Sequence, residues 1–331
     1  MEKGLISVLT PCYNGEAYIH RLLDSVLTQD YPQVEMLVVD DGSDDRTADI
    51  VKGYIPAFAE KGYTLKYIYQ VNSGQSCAIN RGLKQMNGEF LTWPDADDFY
   101  RSSEALSKMV EVLRNLGPDF AAVRCMPTFL EEHTLTEIPY AVEDSHLSLF
   151  ESCLYSNGFI WPPGNYMVKM ELMRKVNPNL EIYTEKHAGQ NWQLFLPLFY
   201  TYKCQMLKES YFNVLVRGDS HSRGGYVSYE KRKVRLVAYE NTIIATLQSI
   251  KGMPNKEMGE YIVRIKKKYL KELYWLSFDC RNLPEIKKYY KLQKESQIRL
   301  SAREKVKYII VQCPCLFSLV SWMLCKWRKY A

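Results

Sequence analysis

The apolar positions along the first hundred residues switch between two periods. Residues 5–10 (LISVLT) form a short β-branched apolar run, which predicts a strand. Ile19, Leu22, Leu23, Val26 and Leu27 then recur at i, i+3, i+4, i+7 and i+8, the stripe of an amphipathic helix. Residues 35–40 (EMLVVD) are apolar nearly throughout, as suits a parallel strand covered on both faces. Ala48, Val51, Ile55 and Phe58 give the next helix face, and residues 65–70 (LKYIYQ) a third strand. Residues 77–86 read as a helix stopped by Asn87-Gly88. Residues 89–93 (EFLTW) are a fourth strand, followed by a helix with Ser103 as its cap and Leu106, Met109, Val110 and Leu113 on one face. This order predicts an α/β fold: a Rossmann-like, mostly parallel sheet with helices on both faces.

In such sheets ligands sit outside the carboxyl ends of the strands. Those ends read Thr10-Pro11-Cys12-Tyr13, Asp40-Asp41-Gly42-Ser43, Asn72-Ser73-Gly74 and Asp95-Ala96-Asp97-Asp98, and all four are expected along one edge. The last places three carboxylates in four positions. Like charges that close repel, and each loses hydration on burial. A hard divalent cation bound by carboxylate oxygen compensates them, its other positions taken by water and substrate phosphates. A solvated loop with helix-capping aspartates is the plainer alternative.

A chain of 331 residues suits one large domain with appendages, or two domains, and 47% hydrophobic content supports a sizeable core. The formal charge of +5 is unevenly spread: residues 1–225 are acidic by about nine units and residues 226–331 basic by about fourteen. Nine cysteines at irregular spacing, with no secretory signal at the start, predict reduced thiols and a cytoplasmic protein. Cys313 and Cys315 lack the partners of a zinc set. From about Tyr226 long helical patterns dense in Lys, Tyr and Leu predict a helical, basic extension. The runs Lys266-Lys267-Lys268 and Lys287-Lys288 read as solvated faces. The apolar segment 309–324 is interrupted by Pro314 and flanked by Lys305, Lys307, Lys326, Arg328 and Lys329, with Trp322 and Trp327 near one end. It falls short of the roughly 20 residues a bilayer span needs. Either it lies in the interface of an anionic membrane, or it packs on the domain or in a dimer. The expected organisation is 1–225, split into 1–115 and 116–225, followed by 226–331.

The stretches LISVLTPCYNGEAYIHRLLDSVLTQDYPQVEMLVVDDGSDDRT and NSGQSCAINRGLKQMNGEFLTWPDADD resemble the opening of the family-2 glycosyltransferases of GT-A fold. GQNWQLFLPLFY and SHSR resemble the C-terminal half of bacterial surface-polysaccharide members. The resemblance implies inverting sugar transfer from a nucleotide-sugar, with a UDP-sugar as donor and a glycan or lipid-linked acceptor. It implies that Pro11 and Tyr13 line the base pocket, that Asp41 hydrogen-bonds the base, and that Asp40 supports that loop. It makes Asp95-Ala96-Asp97 the DXD motif, with Asp95 on the ribose or a metal-bound water and Asp97 on Mn²⁺ or Mg²⁺. The register within DADD leaves Asp98 open to either role. Arg81 is expected near the nucleotide, and Arg217, His221, Ser222 and Arg223 near the diphosphate, where cations are needed.

An attacking acceptor hydroxyl needs a base. Where many members carry a Glu-Asp pair this chain reads His187-Ala188-Gly189-Gln190-Asn191, and Asn191 stands in place of the Asp. An amide can hydrogen-bond an acceptor but is no base. Glu185, and after it Glu181, are the nearby substitutes, and His187 reads as a loop residue. Trp161, in Trp161-Pro162-Pro163-Gly164-Asn165, either stacks on an acceptor sugar or packs in the core. Two alternatives come from other classes. A nucleotidyltransferase would carry a Gly-rich, Arg/Lys-bearing loop after its first strand, which TPCYNGEAY is not. A noncatalytic membrane-bound scaffold would explain Asn191 but not the retained Asp41, Asp95 and Asp97. No run of spanning helices supports a translocating polymerase, and no nucleic-acid partner is expected. The setting implied is the cytoplasm, peripheral on the inner face of the plasma membrane.

Overall fold

The structure is a computed structural model that describes residues 1–140, 146–218, 228–298, 301, 305 and 308–310. It divides into two compact units, one of residues 1–225 with 241–253 and one of residues 226–240 with 254–331.

The first unit opens with four strands, β1 (Glu2–Cys12), β2 (Val34–Asp40), β3 (Thr64–Tyr69) and β4 (Gly88–Thr92). They run parallel in the order β3-β2-β1-β4. Every residue of β2 is buried, which is why its sequence shows no alternation. Four helices connect and follow these strands: α1 (Ile19–Leu27), α2 (Thr47–Glu60), α3 (Gln75–Leu83) and α4 (Ala105–Asn115). The buried stripe of α1 is Ile19, Leu22, Leu23 and Val26. On α2 the buried line is Thr47, Val51 and Phe58, and Ile55 is 39% exposed, contrary to the expected face. The helix is rolled toward Thr47, whose Oγ1 accepts the Gly15 N–H at 2.8 Å. Ser103 does not cap α4. Gln29, from the turn after α1, takes over that work: its Oε1 accepts the Leu106 N–H at 3.0 Å.

Beyond β4 the sheet becomes mixed. β4 pairs antiparallel with β8 (Tyr166–Lys169), and β8 antiparallel with β6 (Phe120–Glu131). β6 runs parallel to β9 (Lys203–Val216), and β9 antiparallel to the two-residue β5 (Phe99–Tyr100). β7 (Glu137–Ile138) pairs with β6. The sheet is thus wholly parallel through its first four strands and mixed beyond them, where β6 and β9 form a further parallel pair. Between these strands lie α5 (Leu149–Tyr155), α6 (Met170–Val176) and α7 (Asn191–Thr201).

Register aligns the strand ends. Cys12 pairs with Asp40, and Asp40 with Tyr69. Thr92, the last residue of β4, pairs with Val8, four residues before Cys12, and the turn carrying Asp95 to Asp98 follows directly. The loops after β1, β2, β3 and β4 therefore share one edge.

In the second unit α9 (Asn255–Asp279) and α10 (Leu283–Glu295) enclose Leu273, Tyr274, Phe278, Ile286 and Tyr289. α8 (Tyr229–Ser249) contributes its first part to this unit and its remainder to the first. Glu285 accepts from Tyr229 Oη at 3.0 Å and pairs with Lys233 at 3.1 Å. Among the described residues no helix is long and apolar enough to cross a membrane. Apart from residues 309 and 310, the apolar segment 309–324 lies outside the described residues, as do His221, Ser222 and Arg223.

Candidate functional site

The loop after β2 is built around two adjacent carboxylates with different duties. Asp40 is fully buried; its Oδ1 accepts the Ser43 N–H at 2.8 Å and its Oδ2 the Tyr67 hydroxyl at 2.6 Å. Asp41 accepts three hydrogen bonds: Gln70 Nε2 at 2.7 Å and Ser73 N at 2.8 Å on Oδ1, and Gly74 N at 2.8 Å on Oδ2. Two glycines permit this. Gly42 has φ +85°, and a Cβ there would stand 2.7 Å from Asn72 N. Gly74 has φ +97° at the start of α3, where a Cβ would stand 3.1 Å from Lys186 Cα. Asp41 thus ties the ends of β2 and β3 together. The β1 end is stitched to the same loop by Asn14 N on Ser43 Oγ at 2.9 Å and Glu16 N on Asp45 at 3.0 Å. Pro11 is buried at the end of β1, whereas Tyr13 is 55% exposed on the same edge.

The turn after β4 separates its three aspartates. Asp98 is buried and turned toward β9, where its Oδ1 accepts the Leu215 N–H at 2.9 Å. Burial first, then the charges of Asp97 and Asp95, push its carboxyl well above the usual range. Asp95 is half-buried, with Oδ1 accepting from Gln75 Nε2 at 2.8 Å and a second side-chain hydrogen bond to Gln190. Burial and the Asp97 charge push its carboxyl up to about 7, against the pull of the two amides. Asp97 faces Arg217, the residue after β9, at 2.9 Å from Nη1 to Oδ2. The guanidinium lies 4.1 Å over the Tyr18 ring, and Tyr18 donates to Glu132 at 2.6 Å. Among the described residues no group of three or more His, Cys, Asp or Glu is arranged to hold a metal unaided. Asp95 and Asp97, hard oxygen donors two residues apart with Asp98 turned away, match instead the one- or two-carboxylate sites that leave room for water and phosphate.

The segment from Glu181 to Gln190 lies over the N-terminus of α3. Asn80 and Ile182 exchange hydrogen bonds, its Nδ2 donating to Ile182 O at 2.9 Å and its Oδ1 accepting Ile182 N at 2.8 Å. Glu185 N donates to Ser76 Oγ at 3.1 Å. The Glu185 side chain is half-buried and accepts the His187 N–H at 3.2 Å. Asn191 opens α7 with its amide used in both directions. Its Oδ1 accepts the Trp93 indole N–H at 3.3 Å, and its Nδ2 donates to the Trp161 carbonyl at 3.1 Å. Trp161, half-buried, packs edge-on against Trp192 at 5.1 Å.

Asp41, Asp95 and the backbone of Glu185 are therefore linked through one short helix-opening segment, Ser73 to Ser76. Arg81 is not brought to them. It is exposed in the last turn of α3, about 9 Å along the axis from Gln75. Sequence reasoning missed the amides Gln70, Gln75 and Gln190. Their one signal was position: each sits within two residues of a strand end or a helix start.

A parallel half-sheet whose strand ends carry Asp41 and the Asp95–Asp97 turn is the framework of a GT-A glycosyltransferase. Residues 7–174 match the model of glycosyl transferase family 2, and the chain belongs to that family. An uncharacterized glycosyltransferase of Rickettsia typhi is 32% identical over 152 residues, 44% of this chain and 45% of the relative. The glycosyltransferase GlyA of Streptococcus pneumoniae is 43% identical over 94 residues, 28% of this chain and 13% of that protein. The chain thus matches less than half the length of these relatives. The crystal structure of Staphylococcus aureus TarS 1–349 with UDP-GlcNAc superposes with a TM-score of 0.55 at 20% identity, covering 93% of this chain and 90% of the other. That likeness bears on the fold.

Proposed function

We propose that this glycosyltransferase works by inversion, moving a sugar from a uridine-diphosphate donor to a hydroxyl of a glycan or lipid-linked acceptor of the cell surface. The observation that carries the donor is the hydrogen-bond tally of Asp41. A carboxylate offers about four acceptor positions. Gln70, Ser73 and Gly74 take three of them, two on Oδ1 and one on Oδ2. One position is left, which suits the single N3–H of uracil and not the paired donors of guanine. Exposed Tyr13 offers its ring to the face of the base, beside Pro11.

Asp97, with Asp95 beside it, would hold Mn²⁺ or Mg²⁺. Such an ion neutralises the diphosphate as the sugar leaves it. The chain's own residues do the rest. Gln75 and Gln190 hold Asp95 in place. Glu185 is the carboxylate we assign to take the proton of the acceptor hydroxyl as it attacks the anomeric carbon from the face opposite the diphosphate. Asn191, with both amide ends engaged, braces Trp93 and Trp161 instead of touching substrate. The basic second unit would bring the enzyme to an anionic membrane surface where a lipid-linked acceptor resides.

Calorimetric titration with UDP, GDP and dTDP, each with and without Mn²⁺, beside Asp97→Ala, tests this reading. UDP binding that needs Mn²⁺ and is lost in the variant supports it. Preference for GDP removes the uridine assignment. Binding of no nucleotide removes the donor site and moves the noncatalytic scaffold to the front.

A further inference from the structure

We propose that Arg217 is a resident counter-cation: it occupies Asp97 in the nucleotide-free protein, and a divalent ion binds there in competition with it. This rests on the metal–diphosphate reading above. The two carboxylates at the ligand edge are met in different ways. Asp95 is met by two neutral amides, Gln75 and Gln190. Asp97 is met by a full positive charge, 2.9 Å from its Oδ2. The pair is sheltered, with side chains only 18% and 22% exposed, so solvent screens it weakly.

The guanidinium is also held from behind. Its Cζ lies over the Tyr18 ring, 4.1 Å from the centroid, and Tyr18 donates its hydroxyl to Glu132. The backbone that carries it is anchored two residues earlier, where Leu215 N bonds Asp98. Arg217 therefore reaches the acidic turn from a fixed strand end and a fixed ring. A guanidinium and a divalent ion have the same electrostatic partner, and the cation already beside Oδ2 repels an ion arriving at either oxygen of that carboxylate. The consequence is that metal binding and the position of Arg217 oppose one another. A guanidinium released beside the turn then lies next to the donor's anionic diphosphate.

The test is Mn²⁺ binding without nucleotide, read from the electron paramagnetic resonance signal of free Mn²⁺. Four proteins are compared: wild type, Arg217→Met, Arg217→Lys and Asp97→Asn. The expected result is at least tenfold tighter Mn²⁺ binding in Arg217→Met, near wild-type binding in Arg217→Lys, and loss of binding in Asp97→Asn. Should Arg217→Met fail to fold by circular dichroism, Tyr18→Leu removes the shelf under the guanidinium and should tighten Mn²⁺ binding about threefold. Unchanged or weaker Mn²⁺ binding in the folded Arg217 or Tyr18 variant, with Asp97→Asn still losing the ion, overturns the counter-cation and leaves the donor site intact. Absence of Mn²⁺ binding in wild type and Arg217→Met alike, even with UDP present, overturns the metal site and this proposal with it.

Discussion

Asn191→Asp installs the residue type that the family resemblance implies at this place, and the structure predicts damage instead of gain. The Trp93 indole can only donate and the Trp161 carbonyl can only accept, so the amide at 191 is fixed in one orientation between them. A carboxylate keeps the indole contact but turns an oxygen toward the Trp161 carbonyl, where the donating Nδ2 stood at 3.1 Å. The change removes one hydrogen bond and sets two acceptors face to face in a half-buried place, a loss of about 1–3 kcal/mol. For a chain of this size that is roughly 1–4 °C in melting temperature. The strengthened Trp93 contact, long at 3.3 Å, offsets only part of it. Protonation gives the introduced carboxyl a donor again, so the deficit should be largest at alkaline pH and shrink as pH falls. Urea unfolding followed by tryptophan fluorescence at pH 5 and pH 8 measures both points, with UDP-sugar turnover alongside. A variant as stable as wild type at pH 8, or one with faster turnover, refutes the bracing role and makes position 191 a base position.

Two further outcomes follow from the same geometry. Asp95 titrates near 7 in the folded, metal-free protein against 3.8 for the free side chain. A raised carboxyl favours the folded state while it stays protonated. Its contribution is therefore fully present below about pH 4 and is lost as pH rises to about 7, up to roughly 4 kcal/mol. Melting of chelator-treated protein across pH 4–8 should show that decline, reduced in Asp95→Asn; an equal slope in both proteins speaks against it. Gly164→Ala would place a Cβ 2.0–2.6 Å from ring carbons of Phe212, which is fully buried and packs edge-on against Tyr100 at 5.2 Å. Overpacking of that order destabilises by about 3 kcal/mol or more, and an unchanged unfolding midpoint would show that Phe212 yields freely.

What the sequence disclosed follows how far apart the interacting residues lie. The first four strands were legible because local runs such as EMLVVD carry their own burial pattern, and their order implied the shared edge. Asp40 and Asp41 were given different roles through the family resemblance alone; their partners, Ser43 and Tyr67 for the one and Gln70, Ser73 and Gly74 for the other, lie up to 33 positions away. The fate of DADD was not legible. Asp98 is claimed by Leu215, 117 positions away, and Asp97 by Arg217, 120 positions away. No local pattern reports such pairings. Gln75 and Gln190 were missed because an amide has neither charge nor periodicity to announce it. Ser103 was misread because the α4 N-terminus is served by Gln29, a residue 77 positions from Leu106.

The path of the chain between the two units sets where it can be shortened. Residues 241–253 belong to the first unit although residues 226–240, just before them, belong to the second. Ile243, Leu247, Ile250 and Met253 are buried, and Ile250 and Lys251 line a small cavity with Val176, Pro197 and Tyr202 of the α6–α7 region. A protein ended at residue 225 would lose that strip of core, whereas one ended after Met253 would keep it. The second unit is therefore no detachable tag at the end of a finished enzyme, because one segment of it interrupts the enzyme's own fold.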